Sequence, residues 1–299
     1  MKKFNLKSIY WRFIPMPGLR RKMRKRIAVE AESRNYAKNI RAKTIALSQK
    51  AEKIEILCCG SSHADYGFCP SAFPQNAFNF GSASQDLRTS AALVEKFSKK
   101  IPNLKHVVLF FSVFSPGFYL AKTNEAFRSV VFEQILDIPT PEDSCLSERE
   151  KKCILNNLRK ETGVDPQVDE FGFKDSMPGF NVSAEERTRT HLRENLRKPD
   201  YIRYVEEIVS GFKSNVLVVI PPARADYRAL LPKKEKLFAS LFELRNSRNN
   251  FRIADHFEDC DFSDDDFADT DHLNKNGAFK LSRKILGFLN EIQTHRFTR

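Results

Sequence analysis

Five short segments, most of them apolar and most ended by glycine, serine or proline, constrain this 299-residue chain more than any other feature. They are "KIEILCCG" (53–60), "AFNFG" (77–81), "KHVVLFFS" (105–112), "NVLVVIPP" (215–222) and "FRIADH" (251–256). Apolar runs of this length, bounded by turn residues, read as strands buried on both faces. Between them lie stretches with helical spacing of apolar residues: 28–50, 85–100 (Leu87, Leu93, Val94, Phe97), 234–247 and 276–292. Strands alternating with helices predict an α/β chain, a three-layer α/β/α sandwich around a parallel, flavodoxin-like sheet.

About a hundred residues separate the third and fourth strands, too many for a plain connection. Two S-x-x-E signals, Ser147 with Glu150 and Ser183 with Glu186, mark helix starts there. The expectation is a helical cap inserted over about 117–200. Residues 1–50 then form a basic arm and a helix, and 51–299 the α/β domain.

Charge separates the arm from the body. The first 26 residues hold ten Lys/Arg and no acid, leaving about +2 of the formal +12 for everything else. A nucleic-acid-binding body would carry its basic stripe on the fold itself, so no nucleic-acid partner is expected. Phe4, Ile9, Tyr10, Trp11, Phe13 and Ile14 precede the cluster "RRKMRKR". Aromatic residues beside dense positive charge suit an anionic membrane surface, and a solvated basic arm is the plain alternative for residues 1–27. Six cysteines without a C-x-x-C pair, two of them adjacent in the first strand, fit a reducing cytoplasm. The expected location is cytoplasmic, with peripheral attachment through the arm.

In an open parallel sheet, ligands sit beyond the carboxyl ends of the strands. There the sequence places Gly60-Ser61-Ser62-His63, then Gly81-Ser82, then Ser112 and Ser115, then Arg224. After the fifth strand comes "FADTDHLNKNGA" (267–278), with Asp269 and His272 three apart. A serine needs a base to become a nucleophile, and the base needs an acceptor that holds its tautomer. A D-x-x-H pair in one loop can supply both. Taken alone, Ser61 or Ser62 would only be a helix N-cap.

On "CGSSH", "NFGSAS" and "FADTDHLNKNGA" the chain resembles the SGNH (GDSL-like) hydrolase superfamily. The resemblance implies Ser62 as nucleophile, His272 as general base and Asp269 as its partner. It also implies oxyanion donors at the Ser62 and Gly81 N–H groups. Two positions depart from the family pattern: Ser61 replaces the usual acidic residue, and "LFFSVFSPG" lacks the third-block asparagine, for which Ser112 or Ser115 would stand in. GSSH variants with a basic N-terminal arm look like bacterial surface-polysaccharide biosynthesis proteins. That likeness implies a carbohydrate substrate and an acyl donor.

The expected function is therefore a serine-dependent O-acyl transferase or esterase acting on a carbohydrate. A plain cytosolic esterase or lipase is one alternative. A catalytically impaired glycan-binding or scaffold module is another, favoured by the missing asparagine. His63 directly follows the serine and is read as a substrate-binding rim residue or a structural one, rather than the base. Arg224 would bind a phosphate or carboxylate of the substrate, or else form a surface ion pair. His106, His191, His256 and His295 lack a partner pattern and are read as structural. No cofactor or metal is expected: the acidic run 258–271 lacks the glycine and terminal glutamate of a calcium loop.

Overall fold

The computed structural model describes residues 17–74, 76–175, 182–244 and 249–297. Strands β1 (Ile56–Cys59), β2 (Ala77–Asn79), β3 (His106–Phe110), β4 (Asn215–Ile220) and β5 (Phe251–Asp255) form one sheet in the order β2-β1-β3-β4-β5. Every pairing is parallel, with Cys58 opposite both Asn79 and Val108. The chain leaves β1 toward β2 and returns to β3 on the other side. The loops after β1 and β3 therefore part company at one point of the sheet edge, where an open α/β fold makes a crevice.

Alternation within the apolar runs divides the core. Leu57, Cys59, Val107, Leu109, Val216 and Val218 face one side; Ile56, Cys58, Val108, Phe110, Leu217 and Val219 face the other. Helices α1 (Pro17–Lys50), α3 (Leu87–Ser98), α4 (Phe127–Leu136) and α7 (Arg203–Gly211) cover the first side with Ile40, Leu93, Phe127 and Ile208. Helices α2 (Ser62–Gly67) and α11 (Lys275–Phe297) cover the second, α11 through Leu281, Ile285 and Leu289. The fold is thus α/β in three layers. Among the described residues, no helix is long and apolar enough to cross a membrane.

Two expectations shift. The connection between β3 and β4 also carries α5 (Glu148–Leu158) and α6 (Ala184–Asn195), N-capped by Ser147 and Ser183 as their sequences predict. It does not sit apart as a cap. Phe127, Val130 and Phe132 of α4, Ile154 and Leu158 of α5, and Tyr36 and Ile40 of α1 share one apolar cluster with the sheet. Beyond β4, α8 (Ala225–Arg228) precedes the stretch read as one helix over 234–247. That stretch divides into α9 (Lys234–Leu237) and α10 (Ala239–Glu243). Phe238, at φ −115 and ψ 20, leaves helical geometry there and buries its ring against Phe111 and Phe257. The arm expected over residues 1–27 lies outside the described residues as far as residue 16.

One buried charge joins the layers. Lys43 of α1 is fully buried, and its Nζ donates to Asp65 Oδ1 (2.7 Å), Gly81 O (2.7 Å) and Asn79 O (3.3 Å). Removing one member of such a pair strands the other charge without water, at a cost of about 3–5 kcal/mol. Lys43→Met should lower unfolding free energy by that amount in urea titrations. Lys43→Met with Asp65→Leu should cost clearly less than Lys43→Met alone, and equal costs would contradict a buried-charge origin.

Candidate functional site

Helix α2 begins where β1 ends. Gly60 makes the turn at φ +141, a conformation that disfavours side chains, and a Cβ there would lie 2.9 Å from the Phe110 Cβ. Ser61 is the N-cap residue, although its hydroxyl makes no capping hydrogen bond. Ser62 opens the helix and is half-buried, so its hydroxyl is reachable from solvent where the buried Ser61 is not.

The helix is braced from β2 and α1. Asn79 Nδ2 donates to the carbonyls of Ala64 (2.8 Å), Asp65 (3.1 Å) and Phe68 (2.8 Å), while Lys43 holds the Asp65 carboxylate. Gly81 packs directly against the α2 backbone; a Cβ on it would come within 2.6 Å of Asp65 N. Its N–H donates to Asn79 Oδ1 (2.8 Å). That corrects the expectation of an oxyanion donor at Gly81: the amide already has a partner, and the glycine serves close packing. Ser112 is likewise misassigned by sequence. Its N–H donates to Ser115 Oγ (2.8 Å), and its own hydroxyl lies 3.4 Å from that of Ser61, not beside Ser62. The Ser62 N–H, in the first turn of α2, has no intrahelical partner.

Ser62 Oγ lies 2.8 Å from His272 Nε2 across 210 residues of sequence. His272 Nδ1 lies 3.0 Å from Asp269 Oδ2. Asp269 Oδ1 also accepts from the backbone N–H groups of His272 (2.8 Å) and Asp271 (3.0 Å), which locks the D-x-x-H turn. An ionised Asp269 requires Nδ1–H, so Nε2 is left to accept the Ser62 proton.

A second set lies alongside. His63 Nε2 is 3.1 Å from Asp271 Oδ2, and His63 Nδ1 is 3.3 Å from Ser61 Oγ. The His63 and His272 rings stack with centroids 4.6 Å apart. Asp271 Oδ1 also lies 3.4 Å from His272 Nδ1, so this carboxylate serves both imidazoles. His63 is thus buried in the network, not on a substrate-facing rim. The insertion completes the cluster from α6. Arg187 Nε lies 3.1 Å from Asp271 Oδ1, and Arg187 Nη2 lies 3.3 Å from Asp269 Oδ2. His191 Nδ1 lies 2.7 Å from the Tyr227 hydroxyl and 3.7 Å from Asp271 Oδ2.

Asp271, Arg187 and His191 are the residues that sequence reasoning missed. Asp271 lay within the quoted motif, but nothing local marked the other two. Arg224 sits beside the same loop, its N–H donating to Thr270 O (3.3 Å), but its guanidinium forms a surface fork with Asp226 (2.8 and 2.6 Å). His63, Asp271 and His272 bring ligand atoms within 4.8 Å of one another, a spacing compatible with a metal ion. The Arg187 guanidinium lies against Asp271, and Asp269 already holds His272 Nδ1.

Burial pushes every one of these groups toward its neutral form, and the neighbours decide the outcome. For His272, burial is outweighed by Asp271 and Asp269, and its pKa is raised above the usual imidazole value. For Asp271, burial is outweighed by His272 and His63, and its pKa is held well below the usual carboxylate range. Asp269 is lowered too, burial being offset chiefly by His272. His63, buried beside His272, is lowered. His191 is pushed down to about 3, mainly by burial.

No family model and no curated protein matches this chain. Among solved structures, a Streptococcus pneumonia protein described provisionally as a platelet activating factor aligns over 89% of this chain and 94% of its own. The identity is 11% and the TM-score 0.40.

The network makes a prediction independent of any activity. In a histidine NMR titration of the whole chain, His191 should stay neutral to about pH 3, while His272 titrates above the ordinary imidazole range. Asp271→Asn removes the carboxylate facing both rings and should lower the His272 pKa. An unchanged His272 would show that Asp271 does not govern its charge.

Proposed function

We propose that this chain is a serine-dependent O-acyl transferase or esterase of the SGNH type, acting on a carbohydrate. The observation that carries the reading is the continuous path from Ser62 Oγ through the His272 ring to Asp269. In the proposed cycle His272 Nε2 takes the Ser62 hydroxyl proton as Oγ bonds to the acyl carbonyl carbon. The carbon–oxygen bond to the donor alcohol then breaks, and that alcohol leaves with the proton from His272. A sugar hydroxyl or water next gives its proton to Nε2 and attacks the acyl carbon. The bond from the acyl carbon to Oγ then breaks as Nε2 returns the proton to Ser62, releasing the acylated sugar, or the free acid when water attacks. Asp269 and Asp271 favour the imidazolium that forms midway. The Ser62 N–H is the donor left to face the oxyanion.

A second reading, a glycan-binding or scaffold module with little turnover, is favoured by one observation: the Gly81 N–H is taken up by Asn79 Oδ1. Losing one oxyanion donor costs roughly 10²–10³ in rate in a serine protease. The two readings separate by covalent labelling. A fluorophosphonate should modify the native chain and Ser61→Ala but not Ser62→Ala, read by intact mass. An unlabelled native chain would leave the binding module standing.

The arm fits this reading as an attachment to an anionic membrane surface, each basic residue adding about 1 kcal/mol. Flotation with phosphatidylglycerol vesicles should retain the full chain and lose one lacking residues 1–27. Equal flotation of both would remove the arm from the account.

A further inference from the structure

Ser62 and Tyr66 are four apart in α2, and residues at that spacing share one helix face. On that face, one turn from Ser62, a pocket of about 260 Å³ opens between Tyr66 and the start of α11. Leu273, Lys174, Asp175, Lys275 and Asn276 also line it. The Tyr66 ring meets the His272 ring edge-on, centroids 6.2 Å apart, so the pocket and the Ser62–His272 pair share a wall. Tyr66 is only 9% exposed, yet its hydroxyl, without a hydrogen-bond partner among the described residues, reaches solvent. Burial, with Asp65 beside it, keeps that phenol protonated well past its ordinary range, so it remains a donor.

We infer that this pocket is the acceptor subsite of the reaction proposed above, and that it takes one uncharged sugar ring. Three features select that ligand class. The volume lies just below the span of drug-sized sites, which suits a single ring. Tyr66 and Leu273 offer an apolar wall to the C–H face of a pyranose, while the rim offers hydroxyl, amide and charged groups. The charges are already balanced, Lys275 with Asp175 and Lys174 with Asp165, each at 3.0 Å. A long acyl chain would cover the paired charges without replacing their water. The Asn276 side chain is exposed, with no hydrogen-bond partner among the described residues, and stands free to bond a ring hydroxyl.

The inference rests on the serine reading for its role as acceptor site, but binding can be measured separately. Amide NMR shifts of the full chain would be followed on addition of methyl β-D-glucopyranoside, methyl β-D-galactopyranoside and methyl N-acetyl-β-D-glucosaminide. Methyl glucuronide and hexanoate are the anionic and apolar controls. At least one neutral glycoside should shift the Lys275 and Asn276 amides. Tyr66→Phe and the surface change Asn276→Ala should each weaken it about fivefold, the worth of one neutral hydrogen bond. Thermal melting confirms that both variants fold, and Asn276→Ala, at an exposed position, leaves the core untouched. No shift by any neutral glycoside, stronger binding of glucuronide or hexanoate, or unchanged affinity in both variants would overturn the pocket assignment. Fluorophosphonate labelling of Ser62 in the same samples reads the other premise. Labelling without glycoside binding sinks the pocket alone, and glycoside binding without labelling sinks the acceptor role.

Discussion

A single ammonium group holds together the parts on which the site depends. Lys43 reaches from α1 through the sheet edge to the Asp65 carboxylate in α2 and the Gly81 carbonyl after β2. Shut off from bulk solvent, the ammonium tolerates burial only while its acceptors remain in place. That requirement sets where α2 lies relative to β2, and α2 is the element that presents both Ser62 and Tyr66. Asn79 adds a second brace, its amide spanning three carbonyls of the same turn. The hydroxyl therefore stands on a six-residue helix too short to be stable alone, made rigid by contacts from two other layers.

The opposite half of the site depends on carboxylate geometry. Asp269 caps its own turn through two backbone N–H groups and still reaches the His272 ring. Asp271, two residues on, faces both stacked imidazoles. Two adjacent buried carboxylates would repel one another, and Arg187 of α6 lies against both. Supplying that cation makes the long β3–β4 connection part of the site as well as part of the core. A disturbance of α6 should thus be felt at His272 without any change in the loop that carries it.

Legibility followed the range of the interaction. β1, β3 and β4 could be read directly because strands covered on both faces admit almost nothing polar. Ser147 and Ser183 could be read as caps because a cap lies within three residues of the groups it satisfies. The Asp269–His272 pair was visible for the same reason, being local to one turn. The break at Phe238 was not, since its ring is drawn out of helical register by Phe111 and Phe257 from distant segments. His191 looked structural because its partners, Tyr227 and Asp271, lie in separate segments far along the chain. Gly81 was read as an oxyanion donor from its place at a strand end, yet the destination of its N–H depended on the side chain of Asn79.

By itself, then, the sequence determined the α/β class, the strand ends where a site can form, and the local D-x-x-H unit, because hydrophobic period and short-range hydrogen bonds are properties of neighbouring residues. Tertiary structure alone decided that His63 and Asp271 join the cluster around His272. It decided equally that Arg187 lies against both aspartates and that a pocket opens beside Tyr66. Each of these depends on distances between segments scores to hundreds of residues apart, which only the packing of helices on the sheet brings to hydrogen-bonding range.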